Sequence, residues 1–298
     1  MSPPAISIVM PVFNAGGTIA EAIESCLGQT WSSFELIVML DGCTDASGQI
    51  ARSFDDSRIR VLEREHRGVT ESAAEAIRAA RAPLIARMDA DDISHPTRLA
   101  RQEAFLVGHP GFAVVSGRVT ILDPVGEGMQ RYVKWVTSLI TDEDVARERF
   151  VECPVIQPSI MVRREALDEV AGYRQCEWAE DHDLFLRMLR RKMRIGKVDD
   201  VVLSWRDGFE RLTRRHPAYR EEQVWKMKAH HLSLDDRVIE KGVALCGAGP
   251  IGKRLARLLQ DEGIKINGFF EVNPRPVSYT HLRAHETGRN LVCRLLLE

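Results

Sequence analysis

Strand-like and helix-like runs alternate four times in about the first 90 residues, and this alternation is what most limits the folds open to the chain. Ser7–Val12 (SIVMPV) reads as a strand and is followed by the turn formers Asn14, Gly16 and Gly17. The spacing predicts a helix over Thr18–Gln29, with Ile19, Ala22, Ile23, Cys26 and Leu27 on one face and Thr18 and Glu21 in capping-box positions. Phe34–Asp41 (FELIVMLD) is a second apolar strand, after which Thr44 or Asp45 can cap a helix. Ile59–Arg64 is a third strand, Thr70–Arg81 a third helix, and Leu84–Asp89 a fourth strand. Strands this continuously apolar need cover on both faces, and the intervening amphipathic helices supply it. The expected class is α/β, a Rossmann-like and mostly parallel sheet with helices on both sides.

In such sheets, ligands bind beyond the carboxyl ends of the strands, where loops and helix N-termini converge. Those ends hold Pro11–Asn14, Asp41–Asp45 and Asp89–Asp92. Asp89, Asp91 and Asp92 fall within four residues of one another. Carboxylates so close repel, and a shared hard cation relieves the repulsion. The competing reading is a solvated turn in which Asp92 or Ser94 caps a helix starting at Pro96.

Five motifs in order favour the cation. They are PVFN (Pro11–Asn14), DGCTDAS (Asp41–Ser47), RMDADDISHPTRL (Arg87–Leu99), QPSIMVRREAL (Gln157–Leu167) with Gly172 and Tyr173 after it, and AEDHDLFLR (Ala179–Arg187). In this order and spacing the chain resembles the family 2 glycosyltransferases, which have the glycosyltransferase A-type fold. The resemblance covers about the first 230 residues.

The resemblance implies a role for each matching residue. Asp41 matches the acid that holds the nucleotide base, with Pro11, Val12 and Asn14 beside it. Asp89 and Asp91 match the DxD acids, which bind the ribose and, through Mn or Mg, the donor diphosphate; Asp92 joins them as a metal ligand. Asp181 matches the general base for the acceptor hydroxyl, and Glu180 next to it is expected at the nucleotide sugar. Should Asp181 not be the base, Glu180 and Asp183 are the next acids to test. The simpler role for Asp181 is to favour the N-terminus of the helix whose apolar face is Leu184, Phe185, Met188 and Leu189. The implied activity is metal-dependent, inverting transfer of a sugar from a nucleotide-diphosphate sugar to a glycan or polysaccharide-precursor hydroxyl, on a glycan or lipid-linked acceptor.

Some positions depart from the family pattern. Leu40 stands where the first acid of DDGS is common, and Cys43 where the serine is, which removes a polar contact near the base. Ala74 and Gln157 replace a frequent asparagine and histidine. No QxxRW follows Asp181, so a single-addition enzyme is expected rather than a processive synthase.

With 298 residues, 44% of them hydrophobic, the chain can bury one large core and a smaller unit. A formal net charge of −2 argues against nucleic acid as a partner, and the basic run Arg214–Arg220 reads as a solvated face. Six cysteines without metal-ligand spacing fit free thiols in a reducing compartment. The start lacks the pattern of a secretory signal and no run reaches membrane-spanning length. The expected location is cytoplasmic, compatible with peripheral contact at the inner face of the membrane; oligomeric state is left open.

The expected organisation is a catalytic domain over 1–235, a partial βαβ unit over 240–276 and a foreign tail over 277–298. In the second, VALCGAGPIGKRLARLL places Gly247, Gly249 and Gly252 in a GxGxxG pattern, with Glu271 nearly 20 residues beyond. This supports the main alternative, an NAD-binding oxidoreductase or regulatory module; the separate non-catalytic alternative is a nucleotide-sugar-binding protein that keeps Asp41 but has lost turnover. The unit looks too short to complete a dinucleotide-binding sheet, because the chain is expected to stop supplying strands after Val272. Ser278–Glu298 breaks the strand and helix rhythm and resembles read-through of adapter sequence.

Overall fold

The computed structural model describes residues 3–122, 126–208, 212–271 and 281–283. It divides into two compact units, the larger comprising residues 1–147, 153–175 and 180–211 and the smaller 148–152, 176–179 and 212–298.

In the larger unit the expected alternation is present: β1 (Ile6–Val12), α1 (Ile19–Leu27), β2 (Phe34–Asp41), α2 (Ser47–Ser53), β3 (Ile59–Arg64), α3 (Val69–Ala79) and β4 (Leu84–Arg87). Then come β5 (Ile93–Ser94), α4 (Arg98–Gly108), β6 (Phe112–Ile121), α5 (Glu127–Ser138), α6 (Asp142–Glu148), β7 (Met161–Arg163), α7 (Arg164–Glu169), α8 (Glu180–Arg190) and β8 (Arg194–Trp205). An eight-stranded sheet runs in the order β3-β2-β1-β4-β7-β6-β8-β5. The first four strands are parallel, as expected, and so are β6 and β8. β7 is antiparallel to both β4 and β6, and β5 to β8. Every residue of β1 and β2 is buried, because apolar layers cover both faces. One layer contains Ile8, Met10, Leu36 and Ile23, the other Val9, Ile37, Ile77 and Phe185.

Three expected caps are absent: α2 has Ala46 at its N-cap and not Thr44 or Asp45, and at α1 and α4 a longer-range bond takes the side chain. Thr18 precedes α1 but makes no cap; its hydroxyl donates to Ala90 O at 2.9 Å, fastening α1 to the acid loop. Glu21 pairs with Arg206 at 2.6 Å instead of completing a capping box. Neither Asp92 nor Ser94 caps α4, which begins at Arg98 after an uncapped Thr97. Ser94 belongs to β5, and Asp92 is engaged elsewhere. The capping role expected of Asp92 or Ser94 therefore falls.

The smaller unit contains α9 (Leu212–Arg215), α10 (Glu221–Ser233), α11 (Asp236–Lys241), β9 (Val243–Cys246), α12 (Pro250–Asp261), β10 (Ile266–Glu271) and β11 (His281–Arg283). Its core joins Ala229 and Leu232 of α10 to Leu245, Leu255 and Leu259, with Phe150 packed against them. The observed division thus lies ahead of the expected boundary at 235, since α10 buries its apolar face here. Gly252 is required by contact: a Cβ there would meet Gly247 O at 1.9 Å. Strands did not stop at Val272. β11 pairs in parallel with Phe269–Glu271, so part of the tail expected to be foreign adds a third strand. The rest of Ser278–Glu298 lies outside the described residues.

Cys26, Cys43, Cys153, Cys176 and Cys246 are free thiols, as expected, and Cys293 lies outside the described residues. Burial pushes the Cys26 thiol up to about 12, which makes it inert. Among the described residues no helix is long and apolar enough to cross a membrane.

Candidate active site

The carboxyl ends of β1, β2 and β4 bring the expected loops to one edge of the sheet. Val12 is buried, and its carbonyl accepts from Cys43 Sγ at 3.3 Å. Pro11 is buried beside it, whereas Asn14 is exposed with φ 49°, a left-handed conformation that asparagine tolerates. Asn14 Oδ1 accepts from Thr44 N at 2.8 Å, tying the first loop to the second. Asp45 strengthens the tie by accepting from Gly16 N at 2.8 Å and from the Ser47 hydroxyl at 2.6 Å, which holds its carboxyl below the usual range. Leu40 is sealed in the core.

Asp41 reaches the expected edge but is only 2% exposed, and its carboxylate is turned into the fold. It accepts from Arg67 N at 3.1 Å and Gly68 N at 2.8 Å, and lies 2.9 Å from His66 Nδ1. Its visible work is to shape the 66–68 loop. Gly42 permits this close approach: with φ +66°, it sits where a Cβ would meet His66 N at 2.7 Å. The ordered loop presents the His66 ring, which stacks on Phe13 at 4.0 Å with an interplanar angle of 28°. Phe13 is 51% exposed, a large apolar side chain open to solvent at the ligand edge. The sequence reading did not single out Phe13 or His66; an aromatic within PVFN at a strand end was the available signal.

After β4, Asp89, Asp91 and Asp92 place one carboxylate oxygen each within 4.8 Å of the others. An all-oxygen, triply acidic set suits a hard divalent cation and not a soft one. Arginines frame the cluster. Arg87 Nη2 lies 2.7 Å from Asp89 Oδ1, and its side chain is 2% exposed. On the other side, Arg206 donates its backbone N–H to Asp92 Oδ1 at 2.9 Å and Nε to Asp91 O at 2.8 Å. Beneath, the buried Arg98 donates to Arg87 O at 2.7 Å and Ile160 O at 3.1 Å. Burial pushes Arg98 down to about 10, with Asp92 and Asp89 opposing the shift, so it stays charged at neutral pH. Gln102, one turn later, donates to Ser159 O at 2.7 Å and so anchors the QPS segment under β4.

The N-terminus of α8 presents Asp181 half-buried and Glu180 buried. Asp181 Oδ1 accepts from His182 N at 2.7 Å. Asp183 has a different fate. It is fully buried, held by Arg174 at 2.8 Å and Arg187 at 2.7 Å, and Arg187 also reaches the carbonyls of Val170 and Gly172. A carboxylate so committed to two guanidiniums is a structural anchor, which removes Asp183 as an alternative base.

An edge of convergent loops, a tight acid cluster and a separate half-buried acid on a packed helix together suit chemistry on a phosphate-bearing donor. Residues 7–171, more than half of the chain, match the family described as Glycosyl transferase family 2. The chain belongs to that family. EpsE of Bacillus subtilis (strain 168) is 29% identical over 225 residues, covering 73% of this chain and 78% of EpsE. The O-antigen biosynthesis glycosyltransferase WbnJ of Escherichia coli is 26% identical over 206 residues, 67% of this chain and 79% of WbnJ. Among solved structures, S. aureus TarS 1–349 in complex with UDP-GlcNAc aligns with a TM-score of 0.62 at 17% identity, covering 86% of this chain and 71% of that one. The mannosyltransferase PcManGT of Pyrobaculum calidifontis, in complex with GDP-Man and Mn2+, aligns at 0.55 with 18% identity, covering 88% and 74%. The fold of this family 2 glycosyltransferase is the glycosyltransferase A-type α/β fold.

Proposed function

We propose that the enzyme transfers a sugar, with inversion, from a nucleoside-diphosphate sugar to a hydroxyl of a glycan or lipid-linked glycan precursor. The observation that carries this reading is the convergence of Asp89, Asp91 and Asp92 at the carboxyl end of the sheet. These three residues would hold a divalent cation, Mn or Mg, and a cation there supplies charge neutralisation for the departing diphosphate.

The chain's own residues do the rest. The exposed face of Phe13, backed by His66, offers a stacking surface for the nucleotide base. Asp41 acts on the base through the loop it orders, with Pro11, Val12 and Asn14 shaping the opposite wall. Arg87 holds the Asp89 carboxylate in place through their 2.7 Å ion pair, and Glu180 borders the donor sugar from α8. Asp181 takes the proton of the acceptor hydroxyl as that oxygen attacks from the face opposite the leaving group. TarS is solved with UDP-GlcNAc and PcManGT with GDP-Man, so both donors belong in the first screen.

The test pairs two variants. Asp91→Asn is expected to bind UDP or GDP with the same weak affinity whether or not Mn is present, while the wild type binds more tightly with Mn. Asp181→Asn is expected to keep donor affinity while turnover falls by at least about a hundredfold. Unaltered manganese dependence in the first variant, or unaltered turnover in the second, would sink the corresponding assignment.

A further inference from the structure

Two buried polar groups, one of them within the electrostatic reach of Asp181, have no well-formed hydrogen bond among the described residues. One is the Tyr173 hydroxyl and the other the Gln157 side-chain amide nitrogen; the residues are 7% and 9% exposed. Gln157 lies near enough to the hydroxyl to lower its pKa as a hydrogen-bonding neighbour, but the two do not meet in a well-formed hydrogen bond. The Arg87 guanidinium and the carboxylates of Glu180 and Asp181 are the charged neighbours of Tyr173. Burial pushes the phenol well above its ordinary value, so it remains a neutral O–H donor.

An unpaired buried hydroxyl is destabilising, and phenylalanine would fill the same space without that cost. The backbone that delivers Tyr173 is strained as well. Ala171 and Gly172 both adopt left-handed conformations, with φ of 59° and 54°, and strain of this kind is acceptable for glycine but not for alanine. Arg187 fixes the turn by donating to Gly172 O at 2.7 Å. A strained turn thus holds a buried hydroxyl with no well-formed hydrogen bond among the described residues, within the electrostatic reach of the acid expected to accept a proton.

We propose that Tyr173, seconded by Gln157, is a positioning residue for Asp181. Its hydroxyl is held for the Asp181 carboxylate, and it bonds that carboxylate when the donor and acceptor are bound, aiming one oxygen at the acceptor. Direct contact with substrate is not the role, because the hydroxyl is sealed from the surface. This inference rests on the reading of Asp181 as the base.

The experiment is a double-mutant cycle with Tyr173→Phe and Asp181→Asn in the full chain. It measures nucleoside diphosphate release from UDP-GlcNAc and GDP-Man, UDP and GDP affinity, and Tm. Tyr173→Phe is expected to raise Tm, since it removes an unpaired buried group. It should leave nucleotide affinity unchanged and lower turnover by about tenfold to a hundredfold, the worth of a hydrogen bond to a charged group. In the Asp181→Asn background the same change should have no further effect on turnover. Should Tyr173→Phe not fold, Gln157→Met replaces it in the cycle, with turnover falling in the same direction. Wild-type turnover in Tyr173→Phe, an equal loss in both backgrounds, or a lowered Tm would overturn the proposal. If Asp181→Asn itself turns over normally, the base assignment fails and this inference with it; if that variant is inactive while Tyr173→Phe is normal, only the inference fails.

Discussion

At the scale of single residues, side chains at the ligand edge divide between those used to build it and those left to face a ligand. Asp41, Asn14 and Asp45 are builders, their oxygens committed to backbone N–H groups of neighbouring loops. Phe13 faces outward. Because it is half exposed and stacked on a loop histidine, Phe13→Ala should change stability by less than about 0.5 kcal/mol. Loss of a stacking partner for the base should weaken UDP or GDP binding by about tenfold or more, measured by calorimetry. Equal affinity in the two proteins would place the base elsewhere. The three acids were legible in the sequence because they are adjacent there. The groups that frame them were not: Arg206 bonds Asp92 across 114 positions, and Thr18 bonds Ala90 across 72. No local pattern encodes such a meeting, and the Thr18 and Glu21 capping signal misled because tertiary partners took both side chains.

At the scale of elements, β1 to β4 were readable because a parallel strand covered on both faces must be apolar throughout. β7 and β5 were not, since runs of three and two residues carry no period. β8 was also hidden, partly because it contains Lys197, which is 6% exposed and donates to Val136 O of α5. Burial pushes this amine down to about 8, with Cys153 and Asp144 opposing the shift. In an unfolded chain the same group titrates near 10.4. Between those values the unfolded state binds more protons than the folded state, so this residue's contribution to stability rises with pH across the window. Below pH 8 the full cost of a buried ammonium is present. Lys197→Met should therefore be most favourable relative to wild type below pH 8, and its advantage should shrink by about 3 kcal/mol as pH reaches 10.5. Urea titrations of the two proteins at pH 7 and pH 10.5 measure this difference directly. A pH-independent difference would mean that Lys197 keeps an ordinary proton affinity in the fold.

At the scale of the whole molecule, chain order and compact units do not coincide. Residues 148–152 and 176–179 leave the larger unit to join the smaller one, where Phe150 meets the core built on α10 and α12. The glycine pattern at Gly247–Gly252 foretold β9 and α12, but two short excursions have no signature of their own. Within the smaller unit, β11 covers one edge of β10, which otherwise presents unpaired N–H and C=O groups to solvent. Truncation after Val277 removes that strand. The residues proposed for the active site, Phe13, Asp89, Asp91, Asp92, Tyr173 and Asp181, all belong to the larger unit, so nucleotide affinity and turnover should stay at wild-type values. The open edge of β10 should instead lower the protein's resistance to proteolysis around β9 to β10 and increase self-association with concentration. Limited proteolysis and sedimentation of the truncated and full chains separate the two contributions. If truncation abolished turnover while leaving the proteolysis pattern unchanged, the tail would be acting on the catalytic unit and not on the three-stranded sheet.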